Sequence, residues 1–463
     1  MMPGQKERFG EMTVSETANN EPQIDGDEIL EGILRWVDVE SPSDAPDAVN
    51  RMADHVEEGL AVIGLDVERT PGRDGFGDIL TARTPWGEGP GILVLSHIDT
   101  VHALGTKETD NPIRREGDKV YGPGIYDMKA GAYIAFYAMR HIIRQGRETP
   151  LPVTFMYIPE EEVGSPTSRE RIVEEAKKNK YVLVTEPARE GGKIVTARNG
   201  RLQYEISVAG RPAHAGARHM DGRNAIKEMA HQILKLEGLT DYDRGLTCSV
   251  GTISGGTMTN VVPSACTISV DIRIPDMDTA GEVMAIVEGL ASVDPDCVIT
   301  VTGGVDRPPY DKFDGIARLF NHARQLAAEI GFDLRDLKTG GGSDGNFTGA
   351  LGIPTLDGLG AVIAHVFHID IDIASRLKGV VDVAFHVIGL NRRTPARDIL
   401  EPAFPAAVAV ANLDPAIHGV SGVAAPLGAG SAFIHSCFHP PPCAVCGKSY
   451  TNQGESRNPI SPT

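Results

Sequence analysis

The chain has 463 residues, more than one hydrophobic core usually serves, with 41% apolar and 23% charged residues, so two globular domains are expected. Its 44 Lys plus Arg against 63 Asp plus Glu give a formal charge of -19, which repels phosphate backbones and anionic lipid and excludes nucleic acid as an expected partner. No apolar run approaches the roughly 20 residues that span a bilayer, and the polar first 23 residues hold no apolar h-region, so no membrane association and a cytoplasmic location are expected.

Taken in chain order, Glu28 to about Leu65 spaces apolar residues at helical intervals around an SPS turn, predicting two helices. Strands are predicted near 79–84 and 91–96, a helix over about 130–145, a strand over 152–158, a helix in SRERIVEEAKKN and a strand over 181–186. Short apolar runs alternating with helices indicate a mixed α/β domain whose largely parallel sheet is covered by helices on both faces.

The character changes at Arg198. RLQYEISVAG alternates like a half-exposed strand, NAIKEMAHQILKLEGL reads as a helix, and strands follow over 247–256 and 259–275. A helix in TAGEVMAIVEGLASV and a strand in CVITVTGG complete a βαββαβ order, the ferredoxin-like arrangement. The helical pattern GIARLFNHARQLAAEIGF then resumes the first domain, which ends in the predicted helix IASRLKGVVDVAFHVIGL. The expected organisation is a catalytic domain over 27–197 and 311–395, an inserted lid or dimerisation domain over 198–310, and a disordered Pro-, Ala- and Gly-rich tail over 396–463. Cys248, Cys266 and Cys297 sit in apolar strand-like runs and read as reduced core residues, while Cys437, Cys443 and Cys446 crowd the tail around one weak CxxC.

Four places carry candidate chemistry. In SHIDTV an apolar strand ends on His97, with Asp99 two residues on, and a metal-binding imidazole needs such a carboxylate to hold its other nitrogen. In YGPGIYDMKAG a glycine-rich turn presents Asp127 ahead of a helix, where an N-cap is the bland alternative to a bridging carboxylate. In IPEEEVGS three adjacent acids close a strand; like charges there repel unless a cation offsets them, and one carboxylate can bind metal while its neighbour acts as general base. In YVLVTEP another buried strand ends at Glu186. In isolation His214 in GRPAHAG, Asn260 and Arg273 around NVVPSACTISVDIR, and Ser343 and Asp344 in TGGGSDGNF read equally well as loop, turn and strand-edge residues, although the glycines would let backbone N–H groups approach an anion.

Taken together, SHIDTV, YGPGIYDMKAG, PEEEVGS, TEP, GRPAHAG, NVVPSACTISVDIR and TGGGSD resemble the acetylornithine deacetylase, succinyl-diaminopimelate desuccinylase and glutamate carboxypeptidase family of co-catalytic zinc metallopeptidases. The similarity runs from about Asp27 to about Asn391 and looks nearest to the glutamate carboxypeptidase branch. It implies two zinc ions per chain, with cobalt as a substitute. By the same resemblance His97 and Glu186 would hold one ion, Glu162 the other and Asp127 both, with Glu161 as general base and Asp99 orienting His97. It also implies a homodimer in which His214 stabilises the oxyanion across the dimer, with Asn260, Arg273 and Ser343 binding substrate.

The last zinc ligand departs from the family pattern. The compressed segment LDGLGAVIAHVFHIDID offers both His365 and His368; His365 is preferred, His368 stays open, and so does loss of that ligand. The expected activity is hydrolysis of the amide bond of an N-acyl amino acid or small peptide with a free carboxylate. A deacylase or dipeptidase of the same family, or a non-catalytic binder with a decayed second site, are the alternatives.

Overall fold

The computed structural model describes residues 24–117 and 119–361, together with the backbone of 363–365 and 368–372. Helix α1 (Gly26–Val37) opens on Asp25, whose carboxylate accepts from the N–H groups of Asp27 and Glu28, and α2 (Pro46–Val62) opens on a proline that lacks the N–H a first turn would orphan. Then come β1 (Asp66–Thr70), β2 (Ile79–Arg83), β3 (Gly91–His97), β4 (Arg114–Glu116), β5 (Lys119–Tyr121), α3 (Ala130–Arg144), β6 (Val153–Ile158), α4 (Arg169–Ala176) and β7 (Asn179–Val184). The next elements are β8 (Ile194–Arg198), β9 (Gly200–Ala209), α5 (Ala225–Glu237), β10 (Thr247–Gly255), β11 (Ala265–Ile274), α6 (Met277–Glu288) and β12 (Val298–Arg307). The described part closes with α7 (Asp314–Glu329), β13 (Asp336–Thr339), α8 (Gly345–Ala350), β14 (Thr355–Leu356), β15 (Ile363–His365) and β16 (His368–Asp372).

The main sheet runs β1-β2-β6-β3-β7-β14. The four strands from β6 to β14 are mutually parallel, and β1 and β2 add an antiparallel edge. Residues of β3 and β6 are buried throughout, as a sheet covered on both faces requires. On one face Trp36 of α1 meets Tyr133 of α3 edge-on at 5.2 Å between ring centroids. A largely parallel α/β sheet is therefore what the alternation of runs predicts and what the chain adopts.

The second sheet, β10-β11-β9-β12, is antiparallel throughout and carries α5 and α6 on one face. Leu202, Tyr204, Ile206 and Val208 of β9 alternate inward and pack with Ile268, Val270 and Ile272 of β11 beneath Met229 and Val283. This is the βαββαβ order expected from the sequence. One boundary differs: β11 starts at Ala265 rather than 259, because Pro263 has no N–H for the ladder, so Asn260 lies in a turn. Cys248, Cys266 and Cys297 are buried free thiols. The predicted helix over 373–390 and the tail over 396–463 lie outside the described residues.

Helix α3 approaches the sheet closely at Gly131, where a Cβ would fall 2.0 Å from the Thr185 carbonyl oxygen and 3.0 Å from Gly360 Cα. Backbone cannot yield as a side chain does. Gly131→Ala is expected to destabilise the protein by roughly 1–3 kcal/mol or more, read as a lowered urea midpoint. An unchanged midpoint would show that the helix can shift away.

Candidate metal centre

One edge of the main sheet gathers the acidic residues because three parallel strands stop there. β3 ends on His97, β6 ends three residues before Glu161, and β7 ends two residues before Glu186. Since β3 lies between β6 and β7, their carboxyl ends are adjacent, the place where functional side chains collect in such sheets. Asp127 arrives from the turn Ile125–Lys129, where its φ of -117° and ψ of 103° are non-helical and its peptide bond to Met128 is cis. It does not cap α3, whose start has no side-chain cap, so its carboxylate is free to face His97.

His97 is buried, with Nε2 3.1 Å from Asp127 Oδ1 and 3.8 Å from Glu186 Oε1. One potential ligand atom from each of the three residues lies within 4.8 Å of the other two. The opposite nitrogen, Nδ1, sits 3.1 Å from the Asp99 carbonyl oxygen and 3.3 Å from Asp99 Oδ1. Asp99 in turn accepts from Ser43 Oγ at 2.6 Å and from the N–H groups of Glu161 and Glu162 at 3.1 Å each. Asp99 thus meets the imidazole with its carbonyl oxygen and its carboxylate together, and the same carboxylate pins the acidic turn. Asp127's side chain is 47% exposed, so the cluster opens to solvent on that side.

The three adjacent acids divide their duties. Glu160 is fully buried and holds its own loop, accepting from Thr167 N and Oγ1 and from Ser168 Oγ. Glu161 and Glu162 face the cluster. Burial pushes the Glu161 carboxyl up to about 7, against the opposing pull of Arg307 and His97. Glu162 is raised well above 4.5 by burial and then by the charge of Asp127; Glu186 is raised by burial and then by Asp127 and Glu161. For His97 burial alone would lower the value, but Asp127, Asp99 and Glu161 together hold it well above 6.5.

Among the described residues no lysine or arginine pairs with Asp127, Glu162 or Glu186. Carboxylates buried at this density call for a cation. An imidazole nitrogen surrounded by carboxylate oxygens is a donor set for a first-row divalent metal, so the residues fit one. His365 and His368 are register partners across the hairpin of β15 and β16. Their side chains lie outside the described residues.

Among the described residues the other candidates make no hydrogen bond or ion pair with this cluster. His214 is exposed on the second sheet's loop, where Nδ1 accepts from the N–H groups of Gly216 and Ala217 at 3.2 and 3.1 Å. With Nδ1 accepting, the N–H of the neutral ring falls on Nε2. Asn260 is exposed and its carbonyl holds Ala215 N at 2.9 Å. Arg273 differs from a free two-pronged grip: Nε and Nη2 already hold Asp271 at 2.7 and 3.0 Å, and Nη1 reaches the Gly340 carbonyl at 3.3 Å. Ser343 differs as well. It is fully buried and gives its hydroxyl to Asp357, which also grips Arg198 with both oxygens at 2.7 Å, so it braces the fold instead of lining a pocket. Sequence reasoning missed Glu160's separate role, the Arg198–Asp357 pair and Arg307, whose guanidinium lies on Glu161.

The sequence signature of peptidase family M20/M25/M40 matches residues 93–387, more than half of the chain. Carboxypeptidase G2 of Pseudomonas sp. (strain RS-16) is 28% identical over 339 residues, 72% of this chain and 81% of that protein. A putative succinyl-diaminopimelate desuccinylase of Mycobacterium tuberculosis (strain ATCC 25618 / H37Rv) is 28% identical over 247 residues, 50% of this chain and 64% of that protein. Among solved structures, a tripeptidase from Staphylococcus aureus subsp. aureus Mu50 superposes with a TM-score of 0.63 at 21% identity, covering 79% of this chain and 98% of that one. An M20 family metallo-carboxypeptidase from Sulfolobus solfataricus gives a TM-score of 0.61 at 17% identity, covering 78% and 99%. At these identities the two structures speak for the fold alone.

Proposed function

Because the chain belongs to peptidase family M20/M25/M40 and is therefore a hydrolytic enzyme, we propose that it is a zinc-dependent, carboxypeptidase-like hydrolase. Its substrate is an N-acyl amino acid or short peptide with a free carboxylate. The observation that carries this is the gathering of His97, Asp127 and Glu186 at the strand ends, with Glu161 beside them. His97, Asp127, Glu162 and Glu186, with His365 or His368, would hold two zinc ions. Zinc bound there would supply positive charge for the developing oxyanion and would lower the pKa of the attacking water.

The chain's own residues do the rest. Glu161 takes the proton of the attacking water and passes it to the leaving amine. Asp99 keeps His97 in one ring orientation and tautomer. Asn260 and Arg273 hold the substrate carboxylate, Arg273 exchanging Asp271 for it. His214 donates from Nε2 to the oxyanion of the partner subunit's substrate. Supporting a homodimer, β10 is an edge strand with Ile253 58% exposed, and Met258 beyond it is 70% exposed. The buried free thiols suit a cytoplasmic location, and no helix among the described residues is long and apolar enough to cross a membrane.

The purified full chain with added zinc or cobalt is expected to hydrolyse members of a panel of N-acyl amino acids and dipeptides. Amidating the free carboxylate should cost at least about 10-fold in kcat/KM, since the amide offers Arg273 no anion to exchange Asp271 for. No hydrolysis anywhere in the panel would sink the proposal.

A further inference from the structure

Arg307 is the last residue of β12, where the second sheet returns the chain to the main one. It is 2% exposed, and a guanidinium cannot shed its charge, so carboxylates must match it. Nη2 donates to Glu161 Oε1 at 2.8 Å and to the Glu161 carbonyl oxygen at 3.1 Å. Nη1 donates to Asp344 Oδ1 at 2.8 Å, and the same oxygen accepts from Ser165 Oγ, on the loop that follows Glu161 and Glu162.

The glycine-rich run TGGGSDGNF builds the seat for this side chain. A Cβ on Gly342 would lie 2.8 Å from Arg307 Cδ, so only glycine leaves room for the stem. Asp344 takes one arm, and the Phe347 ring lies 5.0 Å from the guanidinium carbon. The neighbouring residue, Asp306, is held by Arg169 and by Arg201 Nε at 2.6 Å. The junction between the two sheets is therefore clamped beside the acidic turn.

We propose that Arg307 is a positioning residue that fixes the rotamer of Glu161, and that the run Gly340–Phe347 serves to seat it, a role that rests on the function proposed above. A glutamate on a three-residue turn has three side-chain torsions to settle. Gripping its carboxylate and its carbonyl together removes most of that freedom before substrate arrives. The grip engages Oε1 and leaves Oε2, which takes no hydrogen bond among the described residues, to accept the proton. Lysine offers a point charge without the fork and reproduces only one of the contacts.

The test compares wild type with Arg307→Gln, Arg307→Lys and Asp344→Asn, by steady-state kinetics and by crystal structures of the metal-free proteins. Arg307→Gln is expected to lower kcat on the order of 10²-fold with KM within threefold and metal content unchanged. Arg307→Lys should recover part of the loss, and Asp344→Asn should cost several-fold. In the crystals Glu161 should adopt one rotamer in wild type and several in Arg307→Gln. A raised KM at unchanged kcat would make Arg307 a substrate ligand and overturn the proposal, as would wild-type kcat in folded variants. If Arg307→Gln does not fold, wild-type kcat in both other variants overturns it. A single unchanged Glu161 rotamer without the arginine also overturns it. That readout needs no turnover, so it decides the matter even if wild type hydrolyses nothing and the proposed function itself fails.

Discussion

Replacing Glu161 with glutamine is expected to lower kcat by about 10²–10⁴-fold while KM and bound metal stay at wild-type levels. The carboxamide keeps the size and shape of the side chain and still offers Arg307 an oxygen to donate to, so the acidic turn keeps its geometry. What it lacks is a lone pair basic enough to take a proton. Glu162→Gln, one residue away, should behave differently and lose metal, because that side chain is the proposed ligand of the second ion and feels the charge of Asp127. Kinetics with parallel metal analysis on the two variants separates the duties. If Glu161→Gln loses metal, or keeps more than a tenth of the activity, the assignment of the base is wrong. The base must be unprotonated to work, so activity falls as pH drops through its pKa. Burial places that value at about 7 without metal, and a bound cation pulls it lower.

The parts legible in the sequence are those written in local patterns. β3, β6 and β7 are continuous apolar runs, each with a metal-binding type of residue at or just after its end, and a parallel sheet turns those scattered ends into one edge. β9 and β11 alternate strictly because helices cover only one face of their sheet. Long-range pairing was not legible. Arg307 closes β12 with no local signal, and its partners Glu161 and Asp344 lie 146 and 37 residues away in the chain. The same limit explains Ser343: a glycine run looks flexible in isolation, but Asp357 and Arg198 bury it. Three consecutive glutamates are chemically identical on paper. Only the turn at Glu161–Val163, with Asp99 holding two of its N–H groups, sends Glu160 inward and its neighbours toward the cluster.

Stripping the metal should make stability depend on pH with a definite sign. In the metal-free protein Glu161, Glu162 and Glu186 all have pKa values raised above 4.5, and His97 is raised above 6.5. A group whose folded value is raised contributes stability that is fully present below its unfolded value and lost as pH climbs through the folded one. All four groups therefore act in the same direction. Stability falls between about pH 4.5 and 7 on account of Glu161, and Glu162, Glu186 and His97 add to the loss in the same direction. Glu161 alone accounts for on the order of 3 kcal/mol. Metal requires the ionised carboxylates and neutral imidazole, so a filled site opposes this loss, and binding strengthens as pH rises. Thermal melts from pH 5 to 8 should show Tm declining in chelator-treated protein but holding or rising with zinc, the gap widening with pH. His97→Ala removes the one nitrogen donor among the described residues of the proposed ligand set and should collapse the gap. Parallel slopes with and without zinc would mean that the buried carboxylates are balanced by something other than metal.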